Sequence, residues 1–140
     1  MIVYAFDNQH DLNALESALK QIENNLDFKG YTETAQILKH AEQHNYDIIF
    51  ADLEFQNRNG MLLLGQLHWM HPYSNLIGVS SRENEGDALT LHKLHASDYL
   101  IKPYDAVRLA DSLRHLRFPL KNHYGQSTAI NHFVWNDTRT

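Results

Sequence analysis

Short apolar segments alternate five times with segments of helical periodicity along this chain. The apolar segments, which are candidate strands, cover residues 2–6, 26–30, 46–51, 76–79 and 99–101. Apolar residues recur at helical spacing in the segments 11–22, 35–41, 61–69, 87–95 and 106–116. We expect Asp11 or Asn13 to cap the first helix and Thr32 or Thr34 to cap the second. Five strand–helix repeats predict a parallel sheet covered by helices on both faces.

This alternation predicts the fold class α/β, with a flavodoxin-like, doubly wound sheet of five βα units and strand order 2-1-3-4-5. The chain has 140 residues, of which 43% are hydrophobic, and it contains no cysteine. A chain of this size can bury one core without disulfides. We therefore expect one domain over residues 1–118.

Residues 119–140 lose any clear period, and we expect a linker or a C-terminal extension that leads toward an output domain. Four apolar residues, Ile130, Phe133, Val134 and Trp135, make this segment too apolar for a free tail. They could dock on the domain or begin another unit. The sequence leaves both alternatives open.

The formal net charge is −5, and no basic cluster is visible, so we expect no direct contact between this domain and nucleic acid. No segment approaches the roughly 18 apolar residues of a membrane span, so we expect no membrane contact and a cytoplasmic location. The pairs His40/His44, His68/His71 and His92/His95 have helical spacing that could serve a metal. Solvated helix faces are the favoured interpretation, because a third ligand at motif spacing is missing.

Asp52 follows a candidate strand that is apolar on both faces and precedes an Asn-rich turn. In open α/β sheets, ligands collect at the carboxyl ends of strands. A carboxylate there could be a nucleophile or a metal ligand. The alternative is an Asp that starts a turn and caps the next helix.

The other strand ends carry residues that decide between these alternatives: Asp7 with Asn8, Ser80 and Lys102. Two carboxylates in one cleft repel each other, and a divalent cation such as Mg²⁺ relieves that repulsion. Together with Lys102 the cation would neutralise the oxygens of a phosphoryl group attacked by Asp52, and Ser80 could bind one of those oxygens. The pattern predicts phosphoryl transfer to Asp52.

Four motifs occur in order at these strand ends: FDN at 6–8, DLEFQNRNG at 52–60, VSS at 79–81 and DYLIKP at 98–103. Through them, residues 2–117 resemble the receiver domains of two-component response regulators. The segment DALTLHKLHASDYLIKP further resembles regulators with a winged-helix, SARP-like DNA-binding output, with a LytTR-type output as the second choice.

The resemblance implies that a sensor histidine kinase phosphorylates Asp52. It implies a Mg²⁺ site made by Asp7 through water, Asn8, Asp52 and the backbone carbonyl of Glu54. Asn8 stands where the family usually has a directly ligating Asp, so we expect weakened Mg²⁺ binding.

The resemblance also implies that Lys102 pairs with the acyl phosphate, that the Lys102–Pro103 bond is cis, and that Ser80 and Tyr99 form a switch pair. Packing or an interface is the alternative role for Tyr99. We expect a homodimer through the fourth predicted helix, the fifth strand and the last helix. We expect no enzyme activity beyond the domain's own phosphotransfer and dephosphorylation.

Departures from the family pattern motivate a second hypothesis. Asn8, Gln9 and Gln56 replace residues that the family usually has at these positions. The chain could therefore be an atypical receiver that acts as an interaction module without phosphorylation. A third hypothesis, an aspartyl-phosphate hydrolase, is disfavoured because Glu54 replaces the second Asp of that motif and a cap domain is missing.

Overall fold

A single parallel sheet forms the centre of the computed structural model, which describes residues 1–118 and 120. Its strands are β1 (Ile2–Ala5), β2 (Phe28–Tyr31), β3 (Ile48–Asp52), β4 (Asn75–Ser80) and β5 (Asp98–Ile101). The strand order is β2-β1-β3-β4-β5, and every neighbouring pair is parallel. This confirms the predicted α/β class, the flavodoxin-like architecture and the strand order.

Helices connect the strands: α1 (Gln9–Ile22), α2 (Thr34–Ala41), α3 (Phe55–Arg58), α4 (Gly60–Met70), α5 (Glu85–Lys93) and α6 (Ala106–Arg114). The five predicted helices are present, with bounds shifted by a few residues. The four-residue α3 was not predicted, and it is a tight turn within the loop after β3 rather than a regular α-helix, because Gln56 and Asn57 have non-helical φ/ψ values.

Two hydrophobic clusters cover the two faces of the sheet. In β1, Ile2 and Tyr4 belong to the cluster beneath α1 and α6, whereas Val3 and Ala5 belong to the cluster beneath α2 and α4. All four side chains are fully buried. Because successive strand residues point to opposite faces, a strand covered on both sides must be apolar throughout. This explains why the strands appear in the sequence as uninterrupted apolar runs.

The predicted caps of the first two helices were wrong. Asn8 caps α1, and its Oδ1 accepts a hydrogen bond from the Asp11 N–H at 2.8 Å. Helix α1 begins two residues earlier than predicted, so Asp11 lies inside its first turn. Glu33 occupies the N-cap position of α2 without a side-chain capping bond in the described part of the chain.

The last described segment is held against the start of β4. Asn75 donates from Nδ2 to the Phe118 carbonyl at 2.9 Å, and its Oδ1 accepts from the Phe118 N–H at 2.8 Å. The predicted linker, including Ile130 and Trp135, lies outside the described residues apart from Leu120. Within residues 1–118, no helix is long and apolar enough to cross a membrane.

Candidate functional site

Three strands bring their terminal polar residues to one edge of the sheet. Asp52 is the last residue of β3, Ser80 is the last residue of β4, and Lys102 directly follows β5. The register pairs Asp52 with Val79 and Ser80 with Ile101, so the three ends are level. The edge is therefore built by parallel pairing rather than by a flexible loop.

Asp52 accepts hydrogen bonds from the Lys102 ammonium and from a backbone N–H at the same time. Lys102 Nζ lies 2.6 Å from Asp52 Oδ2, and the Glu54 N–H donates to Asp52 Oδ1 at 2.8 Å. Asp52 is only 5% exposed, so both contacts are shielded from competing water. Hydrogen bonds between charged groups of this kind are short and strong.

Asp11 is a second carboxylate that holds Lys102, and sequence reasoning treated it only as a helix cap. Its Oδ2 lies 2.9 Å from Lys102 Nζ. Burial would lower the pKa of the Lys102 ammonium, but hydrogen bonds to Asp52 and Asp11 raise it above its ordinary value. Lys102 is therefore a cation at neutral pH. The only sequence signal for Asp11 was its position three residues after a capping Asn.

The pKa of Asp11 shows the same balance of burial and pairing. Burial would raise the pKa of this carboxyl, but hydrogen bonds from Lys102, His10 and Asn8 lower it below its ordinary value. Asp11 is therefore ionised at neutral pH. Lys102 thus lies between two carboxylates that come from different elements, β3 and α1.

Asp7 and Asn8, the polar residues that follow β1, form hydrogen bonds with different parts of the structure. Asp7 is exposed, and its Oδ1 accepts a hydrogen bond from the Gln56 N–H at 3.0 Å. A proline at position 56 would lack that N–H. The Asn8 amide instead caps α1 and donates from Nδ2 to Asp11 Oδ2 at 3.3 Å. The structure thus joins Asp7 to the loop after Asp52 and Asn8 to the helix.

The loop after Asp52 contains three consecutive residues with left-handed backbone: Gln56, Asn57 and Arg58 have φ of 51°, 59° and 71°. This conformation is unfavourable for residues other than glycine. Side-chain bonds offset part of this cost. Asn59 Nδ2 donates to the Gln56 carbonyl at 2.7 Å, and Arg58 pairs with Glu54 at 2.5 Å.

Gly60 allows this loop to close over the backbone of β3. A Cβ at position 60 would lie 2.0 Å from the Asp52 carbonyl oxygen and 2.7 Å from the Leu53 Cα. Because these are main-chain atoms of Asp52 and Leu53, they leave no room for a side chain. Gly60 therefore determines how closely α4 starts to Asp52.

Ser80 and Tyr99 share one hydrogen-bond acceptor, the main-chain carbonyl of Arg82. Ser80 Oγ donates to this oxygen at 3.0 Å, and Tyr99 OH donates to it at 3.2 Å. Arg82 lies in the connection between β4 and α5. The two residues that the sequence predicted as a switch pair are thus joined through the loop that starts α5.

Tyr104 and a cis bond complete the edge next to Lys102. The Lys102–Pro103 peptide bond is cis, as the resemblance implies. Burial, followed by the charges of Asp11 and Asp52, raises the pKa of the Tyr104 phenol, which is therefore neutral. A cleft of about 350 Å³ lies here, lined by His10, Asp11, Ala14, Lys102, Pro103 and Tyr104.

The oxygen atoms at this edge are suitable donors for a small divalent cation. Asp7 and Asp52 contribute carboxylates, and Glu54 contributes a main-chain carbonyl. Mg²⁺ commonly binds one or two carboxylates and retains several waters, so this donor set fits it. Within residues 1–118 no group of three or more His, Cys, Asp or Glu side chains is arranged to hold a metal, which leaves the histidine pairs without support.

Comparison with known proteins identifies relatives of this chain. The family model of the response regulator receiver domain matches residues 2–114. The transcriptional activator protein IrlR of Burkholderia pseudomallei is 31% identical over 77 residues, which cover 55% of this chain and 33% of that protein. The chain thus aligns with about a third of that relative's length.

Solved structures agree with the fold. A CheY-like receiver domain protein from Methanospirillum hungatei has a TM-score of 0.72 at 17% identity, covering 81% of this chain and 89% of that one. A response regulator from Burkholderia pseudomallei with a phosphorylated aspartic acid, calcium ion and citrate has a TM-score of 0.70 at 18% identity, covering 96% and 74%. Because the family model matches residues 2–114, the chain belongs to the response regulator receiver domain family.

Proposed function

We propose that the chain is the phosphoacceptor of a two-component system in the cytoplasm and that a sensor histidine kinase phosphorylates Asp52. The single observation that carries this proposal is the Lys102 ammonium 2.6 Å from Asp52 Oδ2. One oxygen of Asp52 attacks the phosphorus and forms an O–P bond, while the bond from phosphorus to the donor breaks. The electron pair leaves with the donor group. Lys102 then offsets the charge of the phosphoryl oxygens.

Asp7, Asp52 and the Glu54 carbonyl would hold Mg²⁺, whose charge, when it is bound, offsets the repulsion between carboxylates and phosphoryl oxygens. Asn8 would join this set only by sharing its amide oxygen with the capping bond of α1, as the Glu54 carbonyl would share its oxygen with the Arg58 N–H. Asp7 would have to share its carboxylate with the Gln56 N–H. This sharing supports the expectation of weak cation binding.

Phosphorylation would act on the shared carbonyl of Arg82. Ser80 Oγ can donate to only one acceptor at a time, so a bond to a phosphoryl oxygen would cost its bond to Arg82. Tyr99 would then be the remaining donor to that carbonyl. The N-terminal end of α5 would then adopt a second conformation. This change would alter how the domain pairs with another copy of itself or with an attached output domain.

The output that this switch would control is transcription. IrlR is named as a transcriptional activator, and this chain corresponds to only part of it. A winged-helix, SARP-like DNA-binding output remains our first choice and a LytTR-type output our second. We further propose that the domain has no activity beyond its own phosphotransfer and dephosphorylation.

Mass spectrometry after incubation with acetyl phosphate and Mg²⁺ tests the proposal. We expect wild type to gain the mass of one phosphoryl group, and Asp52→Asn to gain none. A wild-type protein that stays unmodified over the range of Mg²⁺ concentrations, while a well-behaved receiver is modified in parallel, would overturn it.

A second candidate is a receiver that interacts with partners without phosphorylation. The observation that favours it is that Asp7 already accepts the Gln56 N–H, while Asn8 serves the helix cap. Neither Asp7 nor Asn8 would then be available to bind a cation. NMR spectra recorded with and without beryllofluoride and Mg²⁺ separate the two candidates. Changes in the resonances of Ser80 and Tyr99 would support the switch, and unchanged resonances would support the interaction module.

A further inference from the structure

We propose that Asp11 is a positioning residue for phosphoryl transfer, which supplies from helix α1 a second carboxylate for the Lys102 ammonium. The proposal rests on the proposed function of Asp52. Asp11 touches neither the phosphoryl donor nor Asp52. It acts by holding the Lys102 ammonium.

The register of the sheet decides which residue after β1 lies beside Asp52. Ala5 pairs with Ala51 across β1 and β3, so the next residues in line are Phe6 and Asp52. Phe6 is fully buried in the hydrophobic cluster beneath α1 and α6. The position beside Asp52 therefore holds a buried aromatic ring and offers Lys102 no carboxylate.

Helix α1 brings the Asp11 carboxylate to Lys102. The Asn8 cap places Asp11 in the first turn, and Asp11 Oδ2 reaches Lys102 Nζ at 2.9 Å. The Asp11 side chain is 18% exposed and that of Lys102 is 24% exposed. Because solvent access is limited on both sides, this ion pair is less weakened by water than one on the surface.

The Lys102 side chain has conformational freedom that must be restricted for the ammonium to stay in place. A lysine side chain is a flexible four-carbon stem, and ordering it costs conformational entropy. The Asp52 carboxylate loses its negative charge when one of its oxygens bonds to phosphorus, so its attraction for the ammonium weakens during transfer. Asp11 remains ionised and unchanged, so it keeps the ammonium at the edge of the sheet where the phosphoryl oxygens arrive.

The test compares Asp11→Asn with Asp111→Asn, which removes the same charge from an exposed position of α6. We expect Asp11→Asn to form the acetyl phosphate adduct about tenfold more slowly at saturating Mg²⁺, and Asp111→Asn to match wild type. Asn8 provides the helix cap, so Asp11→Asn keeps the capping bond. Asp11→Glu, which retains the charge, should recover part of the rate.

A second readout follows Lys102 itself, through the ¹⁵N resonance of its ammonium. We expect this resonance to shift and exchange faster in Asp11→Asn and to stay unchanged in Asp111→Asn. A normal rate in Asp11→Asn, or a slow rate with an unchanged ammonium resonance, would overturn the positioning role. If wild type forms no adduct, the proposed function fails, and an unchanged resonance would then reject the Asp11 contact as well.

Discussion

At the scale of the residue, Asp52 and Gly60 depend on each other. The backbone of Asp52 lies so close to position 60 that a Cβ there would overlap its carbonyl oxygen. The left-handed residues before Gly60 bring the chain back over the strand end. The edge that carries Asp52 therefore needs a residue without a side chain eight positions after this acid.

We predict that Gly60→Ala destabilises the domain by about 3 kcal/mol or more, because backbone atoms cannot move away from the new methyl group. Gly65→Ala is the matched control. Position 65 lies within α4, and beyond the backbone of that helix no heavy atom comes within 4 Å of the place a Cβ would take. Alanine there should stabilise by roughly 0.5–1 kcal/mol. Urea unfolding of both variants measures the difference, and equal effects would contradict the prediction.

At the scale of the element, strand β5 and helix α6 are joined by an ion pair. Arg108 donates to both carboxylate oxygens of Asp98, at 2.8 and 3.1 Å. Burial would raise the pKa of Asp98, but hydrogen bonds from Arg108 and the Tyr99 N–H, together with the charge of Arg108, lower it below its ordinary value. This pair therefore contributes a pH-dependent part of the free energy of unfolding.

The sign of that dependence follows from the lowered pKa. Asp98 binds its proton less readily in the folded state, so its stabilising contribution is complete above its unfolded pKa of about 3.9 and is lost as pH falls through the lower folded value. We predict that Asp98→Asn is less stable than wild type at pH 7. Below about pH 4 the difference should shrink. Denaturant unfolding across this range tests it, and a constant difference would count against the pair.

Helix α4 is apolar on its exposed side as well as its buried side. Leu63, Leu64 and Leu67 are buried, whereas Leu62 is 60% exposed and Trp69 is 87% exposed. Helices that are apolar all round are normally buried on all sides. Burial within this domain therefore explains only one face of α4.

We predict that Trp69→Gln changes the free energy of unfolding by no more than about 0.5 kcal/mol, because its side chain packs against little. Leu67→Ala, two residues earlier on the buried face, should cost about 2–5 kcal/mol. Urea unfolding compares them directly. A large loss in Trp69→Gln would show that the exposed face contributes to the domain's own stability.

At the scale of the whole molecule, the proposed switch would connect the edge that carries Asp52 to the face made by α5, β5 and α6. Leu89 and Val107 on this face are 55% and 50% exposed. Exposed apolar side chains on the two helices that flank β5 would suit contact with a second copy. The link to Asp52 would run through the Arg82 carbonyl.

We predict that beryllofluoride and Mg²⁺ increase dimer formation and that Leu89→Asp prevents it, because a charge would be buried in the interface. Leu62→Asp, an equivalent change on α4, is the control and should leave dimer formation unchanged. Analytical ultracentrifugation with and without beryllofluoride measures the result. Loss of dimer in the Leu62 variant instead would assign the interface to α4.

Most of the fold was predictable because hydrophobic period and strand ends are local properties of the sequence. Asp52, Ser80 and Lys102 could be assigned to strand ends one segment at a time. Parallel pairing then required these ends to meet. The cis bond before Pro103 came from the family resemblance, whereas the predicted role of Asp52 came from the residues at the strand ends together with that resemblance.

Only the tertiary structure decided how the remaining groups are used. Asp11 and Lys102 are 91 positions apart, and no local pattern joins them. The bond from Gln56 to Asp7 and the carbonyl shared by Ser80 and Tyr99 arise in the same way. By itself the sequence determined which residues lie at the sheet edge, since burial patterns specify strands. Packing of α1 and the loops against that edge decided which of them touch, because those contacts depend on distances between elements.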